Sequence, residues 1–133
     1  MSDKAIAYLF VLRWAIALIF LIEGFMKFQD PAFAEGSAKF FAGLVDDAKF
    51  GIYRDFLSQV VVPNSNLFAL MVKFGEMGVG IAYLLGTPLR LAGLFGIFLN
   101  ANYACISFAP NMLYLNLLMI VCQFTIVGTH RNA

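Results

Sequence analysis

The sequence predicts an all-α integral membrane protein, a four-helix bundle with amphipathic helices in its long first connection. Three observations lead there. The 133 residues are 62% apolar and 13% charged, against about 45–50% and about 25% in soluble domains. The apolar residues gather in four runs, Ala5–Met26, Leu67–Gly86, Pro88–Ala109 and Asn111–Gly128, of 22, 20, 22 and 18 residues; a membrane-crossing helix takes about 20. Only five of the 17 charged side chains interrupt those runs: Arg13, Glu23, Lys73, Glu76 and Arg90. A soluble bundle would need polar helix faces toward water, and these runs have none to offer. Such hydrophobicity excludes a disordered chain. Nine basic against eight acidic residues provide no footprint for nucleic acid. The length fits a single membrane domain, residues 1–133, without a separate soluble module.

The first run is too long for a signal peptide, is broken by Arg13 and Glu23, and has no small-residue cleavage site after it. It is expected to stay as the first span. The connection 28–66 is nearly forty residues long, which for a link between helices points to structure or function of its own. Asp30-Pro31 is a helix-start signal. Phe33, Phe40, Phe41, Leu44 and Val45 then recur at helical spacing, and Ile52, Tyr53, Phe56, Leu57, Val60 and Val61 do so again until Pro63. These are one or two amphipathic helices lying at the interface or covering the end of the bundle. Thr87 and Pro88 read as N-cap and first residue of the third span, and Pro110 with Asn111 as break and cap before the fourth. Links this short make spans two, three and four antiparallel neighbours. Gly78, Ala82 and Gly86 form a small-residue seam on the second span. An even number of spans puts both termini on one side, with Lys4, Arg90, His130 and Arg131. The basic residues there favour cytoplasmic termini in a multi-pass cell-membrane protein, with the connection facing outward.

Charges within the bilayer cost at least about 2.5–3.5 kcal/mol each, so they face inward, pair, and mark function. Counting from the face of the long connection, Glu23 lies roughly 5 Å deep, Lys73 roughly 9 Å, Glu76 roughly 14 Å and Arg13 roughly 20 Å. Glu23 is therefore expected to meet Lys73, and Arg13 to reach Glu76. Arg13, Gly24 and Lys27 share an arc of about 60° on the first span. Gly93, Gly96, Asn100, Tyr103 and Ser107 make a stripe along the third, while Asn102 points about 200° away from Asn100 and is excluded from it. Asn116 and Gln123, seven apart, share a face of the fourth. These groups either fix helix register or build a polar site. The site would consist of Arg13, Glu76 and Asn100, with Glu23, Lys27 and Lys73 nearer its mouth. Cys105 and Cys122 differ too much in depth for a disulfide. His130 has no companion ligand, so no metal site is expected.

The first span, LRWAIALIFLIEGFMKF from Leu12 to Phe28, and the second span with its exit, KFGEMGVGIAYLLGTPLRLAG from Lys73, resemble the DoxX/DoxD family of small four-span membrane proteins. Arg13, Gly24 and Lys27 match the family's pattern on the first span. Glu76, Gly80, Gly86 and Arg90 resemble its Glu-x-x-x-Gly, terminal glycine and following basic residue. Glu23 and the length of the first connection are less typical of it. The resemblance implies redox chemistry, since named members are subunits of a thiosulfate:quinone oxidoreductase and others accompany membrane oxidoreductase or detoxification systems. No flavin, iron–sulfur or haem signature appears in the chain, so no covalently held cofactor is expected. Any quinone would lie between the helices. Three functions stay open: a quinone-linked oxidoreductase subunit, a non-catalytic accessory or scaffold subunit, and a lipid- or metabolite-binding or transport protein. The partners expected are membrane lipid and either further copies of the chain or a redox subunit.

Overall fold

The computed structural model describes residues 2–30, 33, 37–106 and 110–129. Pro31, Ser107, His130, Arg131 and the side chain of Asn111 lie outside them, with the roles expected for each. The described residues are helical and contain no strand, apart from one isolated antiparallel bridge between Ala48 and Ile106.

Helix α1 (Asp3–Gln29) begins on Ser2, whose hydroxyl accepts from the N–H of Ala5 at 3.2 Å. Asp3 in its first turn and Lys27 in its last suit the helix dipole. The connection holds α2 (Ser37–Val45) and α3 (Gly51–Phe56). Beyond α3 the chain does not stop at Pro63. It widens into a π-helical turn over Leu57–Val61, tightens into a 3₁₀ turn over Val62–Asn64, and runs on as α4 (Ser65–Leu85). Proline has no N–H to give the ladder and its ring crowds the preceding turn. A π turn followed by a 3₁₀ turn absorbs this without breaking the helix. The side-chain amide of Asn64 donates to the carbonyl of Val60 at 2.8 Å, supplying a partner in this irregular stretch. The expected break at Pro63 is thus corrected to a continuous helical path.

Helix α4 ends on Gly86, whose φ of 84° is left-handed, a conformation that costs glycine nothing. Helix α5 (Leu89–Ala104) follows, and α6 (Pro110–Thr129) completes the bundle. Pro88, not Thr87, is the N-cap of α5. Among the described residues, three helices are long and apolar enough to cross a membrane: Asp3–Gln29, the continuous Gly51–Leu85 and Met112–Thr129. The predicted third span is shorter than its 22-residue run. Its 16 residues rise about 24 Å at 1.5 Å per residue, against a hydrocarbon core of about 30 Å.

Helices α1, α4, α5 and α6 close into a ring: α1 packs on α4, α4 on α5, α5 on α6, and α6 back on α1. Their core is Ile16, Ala17, Phe20, Val79, Tyr83, Leu89, Leu99 and Ile126 with their neighbours. Outward-facing positions carry large apolar side chains, including Val11, Ile22, Leu85, Leu91, Leu94 and Phe124. The buried set instead includes Glu76, Asn100, Asn116 and Gln123. Apolar outside and polar within is the arrangement that a hydrocarbon solvent selects.

The α1–α4 seam is antiparallel and built on Gly24 and Gly80; of the expected Gly78, Ala82 and Gly86, Gly86 lies against Arg13 of α1 and Ala82 is buried, but Gly78 stands outside it. A Cβ on Gly80 would lie 2.7 Å from Cγ of Leu21 and 3.1 Å from the carbonyl of Ala17. One on Gly24 would lie 2.9 Å from Cγ of Met77, while Gly78 faces open space. The connection folds over the bundle end around a second core of Phe33, Phe41, Ala48, Leu57, Val61 and Ala69. The N–H of Lys49 donates to the carbonyl of Cys105 at 2.9 Å. Arg54 donates to the carbonyls of Val45 and Ala48, both at 3.2 Å, pinning the end of α2.

Candidate functional site

Among the described residues, the one charged side chain that is fully buried is Glu76, 0% exposed on the inner face of α4. Its partner is Lys27, whose Nζ lies 3.1 Å from Oε1 and 3.0 Å from Oε2. The hydroxyl of Tyr103, from α5, donates to Oε1. Lys27 also sits over the Tyr103 ring, 5.5 Å from its centroid. Three helices thus converge on one carboxylate.

The expected pairing of Arg13 with Glu76 does not form, and side-chain direction explains why. Side chains on a helix lean toward its N-terminus. Because α1 and α4 are antiparallel, Arg13 leans toward the end carrying the termini and Glu76 toward the end carrying the connection. Lys27 leans inward from its own end and meets Glu76. Arg13 lies instead beside Gly86 at the C-terminus of α4, its guanidinium 4.8 Å from the Phe10 ring centroid. Its buried Nε has no hydrogen-bond partner. Lys73 leans outward past Glu23 onto the ring of Phe28, Nζ 5.0 Å from the centroid.

Asn100 belongs to a different group. The Tyr83 hydroxyl donates to Oε1 of Gln123 at 2.9 Å, and Nε2 of Gln123 donates to Oδ1 of Asn100 at 2.7 Å. Asn100 Nδ2 in turn donates to Oδ1 of Asn116 at 2.9 Å. This ladder ties α4, α5 and α6 together. Gly96 makes room for it, since a Cβ there would collide with Oε1 of Gln123.

Between the connection and the bundle end lies a cavity of about 300 Å³. Its walls are mostly aromatic and aliphatic, among them Phe33, Phe41, Leu57, Phe68, Phe95 and Phe98. Six polar side chains reach it: Glu23, Lys27, Tyr53, Asn102, Tyr103 and Asn116. Glu76 stands behind Lys27 and Tyr103. A second cleft, lined by Glu23, Met26, Lys27, Gln29, Asp30, Phe33 and Phe40, shares Glu23, Lys27, Phe33 and Phe40 with the first. Of the residues expected in a site, Glu23 and Lys27 line the cavity and Glu76 backs it. Asn100 meets it through Asn116. Arg13 and Lys73 are elsewhere.

Tyr53 and Asn102 were not among the expected site residues. The Tyr53 hydroxyl donates to Oδ1 of Asn102 at 3.0 Å, and Nδ2 of Asn102 donates to the carbonyl of Phe98 at 2.7 Å. Asn102 does point away from the α5 stripe. It is the connection, folding across that side, that makes the outward face an inner wall. No helical periodicity within α5 carries that information.

Replacing Tyr103 with phenylalanine keeps the ring in the wall and removes the donor to Glu76. A hydrogen bond to a charged group contributes about 1.5–3 kcal/mol. Thermal unfolding in detergent is expected to show Tyr103→Phe destabilised by that order, and an unchanged midpoint would refute the bond's importance.

A helical bundle with lipid-facing apolar sides, a neutralised carboxylate inside and an aromatic cavity under a folded cap defines a multi-pass membrane protein. The DoxX family model matches residues 8–109, and the chain belongs to the DoxX family. The match spans Arg13, Glu23, Lys27, Lys73, Glu76 and Asn100, while Asn116 and Gln123 on α6 fall beyond it. No curated protein matches the chain, and no solved structure does.

Proposed function

We propose that this protein binds the ring of a membrane quinone in the cavity beneath its cap, as a subunit of a quinone-linked membrane oxidoreductase. The observation that carries the reading is the cavity itself. Ligand sites are concave, largely apolar and run from about 300 to about 1,000 Å³, with a few placed polar groups. An engineered apolar cavity of about 150 Å³ takes up benzene, so about 300 Å³ suits a substituted ring of one or two cycles. The aromatic walls complement such a ring. Lys27 supplies a cationic donor, and the Glu23 carboxyl can exchange protons.

Conversion of a quinone to a quinol takes two electrons and two protons. The electrons would come from a donor, thiosulfate or a related sulfur compound, oxidised on a partner subunit. The protein's own residues would bind the ring and deliver protons beside it. With cytoplasmic termini, the capped end faces outward, where such a donor subunit would dock. Lys27 takes the headgroup position first expected of Arg13.

The test is equilibrium binding of decylubiquinone to the purified protein in lipid nanodiscs. Saturable binding at one molecule per chain is expected, weakened about tenfold by Lys27→Gln, the size of a lost charged hydrogen bond. Uptake no greater than that of empty nanodiscs would overturn the reading. Saturable binding without donor-dependent quinol formation, in the presence of the co-purified partner, would leave an accessory binding subunit in its place.

A further inference from the structure

We infer that Asn116 is a specificity-determining donor in the cavity, locked in one orientation so that the site takes a ring bearing a hydrogen-bond acceptor such as a carbonyl. The inference rests on the cavity being a ring-binding site, and it follows from counting the ladder's hydrogens.

A side-chain amide can in general face either way, but a backbone carbonyl can only accept. Two backbone carbonyls therefore fix this ladder. Nε2 of Gln123 lies 3.1 Å from the carbonyl of Met119, and Nδ2 of Asn116 lies 2.8 Å from the carbonyl of Met112. With Gln123 so placed, its two hydrogens go to Met119 and to Oδ1 of Asn100. Its Oε1 must accept, so the Tyr83 hydroxyl donates. Asn100 then presents Nδ2 to Oδ1 of Asn116 and to the sulfur of Met119, at 3.7 Å. Both ends of the chain demand the same direction, so reversing any one amide would set two acceptors or two donors face to face.

One hydrogen is left over. Asn116 accepts from Asn100 through Oδ1 and gives one N–H to Met112, which leaves its second N–H. Of the four ladder residues, Asn116 is the one that lines the cavity. The ladder's other members, Tyr83, Asn100 and Gln123, are fully buried away from it. Asn116 thus offers a ligand its second N–H from an amide held from behind by three residues, while its oxygen already accepts from Asn100. A donor that finds no acceptor against a mostly apolar ligand and wall is penalised. The site consequently favours a carbonyl-bearing ring over a hydrocarbon of equal shape. Lys27, on α1, lines the same cavity and adds its own preference for a carbonyl, so the share of Asn116 is read as the loss on its substitution.

The experiment compares two probes of matched volume, 2-methyl-1,4-naphthoquinone and 1,2,4-trimethylnaphthalene, binding to the full chain in lipid nanodiscs. Wild type is expected to prefer the quinone by at least about tenfold after correction for partition into empty nanodiscs. Asn116→Leu is expected to lower that ratio about tenfold, the factor of one hydrogen bond, while still binding the hydrocarbon, which reports an intact cavity. Asn116→Ala also removes the donor, without the bulk of leucine, and is expected to lower the ratio alike; it decides the matter should Asn116→Leu fail to fold. Equal binding of both probes to wild type would overturn the inference and leave the ring-binding reading standing. Binding of neither would overturn both. A ratio unchanged in Asn116→Leu or in Asn116→Ala would overturn the locked-donor role.

Discussion

Replacing Lys27 with methionine is expected to destabilise the folded bundle by about 3–5 kcal/mol, the cost of leaving a buried charge without its partner. Glu76 is 0% exposed, and Lys27 approaches both of its oxygens within 3.1 Å. The variant leaves only Tyr103 to stabilise the carboxylate. The double variant Lys27→Met with Glu76→Gln removes both charges and is expected to regain much of the loss, since a neutral pair needs no counterion. Equilibrium unfolding in mixed micelles with increasing dodecyl sulfate measures both. Equal destabilisation of the single and double variants would show that the charge pair is not what holds α1 against α4.

A second large effect is expected at Gly80. Leucine there must displace the side chain of Leu21 and approach the backbone carbonyl of Ala17, which cannot turn away. Overpacking of this kind costs about 1–3 kcal/mol. The seam between α1 and α4 also aligns Lys27 with Glu76, so ligand binding in the cavity is expected to fall with stability. Gly78 is the internal control. It lies two residues away on the same helix, meets nothing within 4 Å, and faces outward, so Gly78→Leu is expected to stay within about 0.5 kcal/mol of wild type. The same unfolding measurement compares the two. Similar losses at both positions would mean that helix propensity, not packing, sets the response.

The glycine pair shows where sequence reasoning about this chain ends. Gly78, Ala82 and Gly86 have ideal four-residue spacing, and spacing made them a seam, yet Gly78 faces open space while Gly86 lies against Arg13 of α1. The actual seam needs a residue at 80 that faces residues 17 and 21 of another helix, which depends on how α4 is rotated about its axis. The Arg13 and Glu76 pairing failed for a related reason. Depth along the bilayer normal treats a side chain as a point beside its Cα. Arginine and glutamate on antiparallel helices lean in opposite directions, so equal depth separates their charges, whereas Lys27, counted as lying at the mouth, reaches inward to the buried carboxylate.

What the sequence by itself determined is the all-α membrane architecture and the identity of the chemically loaded residues. Hydrocarbon imposes a one-dimensional condition, long apolar segments with few charges, and a one-dimensional string can display it. The same condition made Arg13, Glu23, Lys73, Glu76, Arg90, Asn100, Asn116 and Gln123 conspicuous, since polar groups in such segments are costly, and Lys27 stood out by the helix face it shares with Arg13 and Gly24. Only the tertiary structure decided which of them meet. The continuous path through Pro63 brings Tyr53 over Asn102, and the folded connection turns an outward helix face into a cavity wall. Backbone carbonyls at Met112 and Met119 orient an amide ladder that no residue count could orient. Partner choice depends on helix rotation, side-chain lean and the fold of an irregular segment, and these are set by packing between elements rather than by the pattern within any one of them.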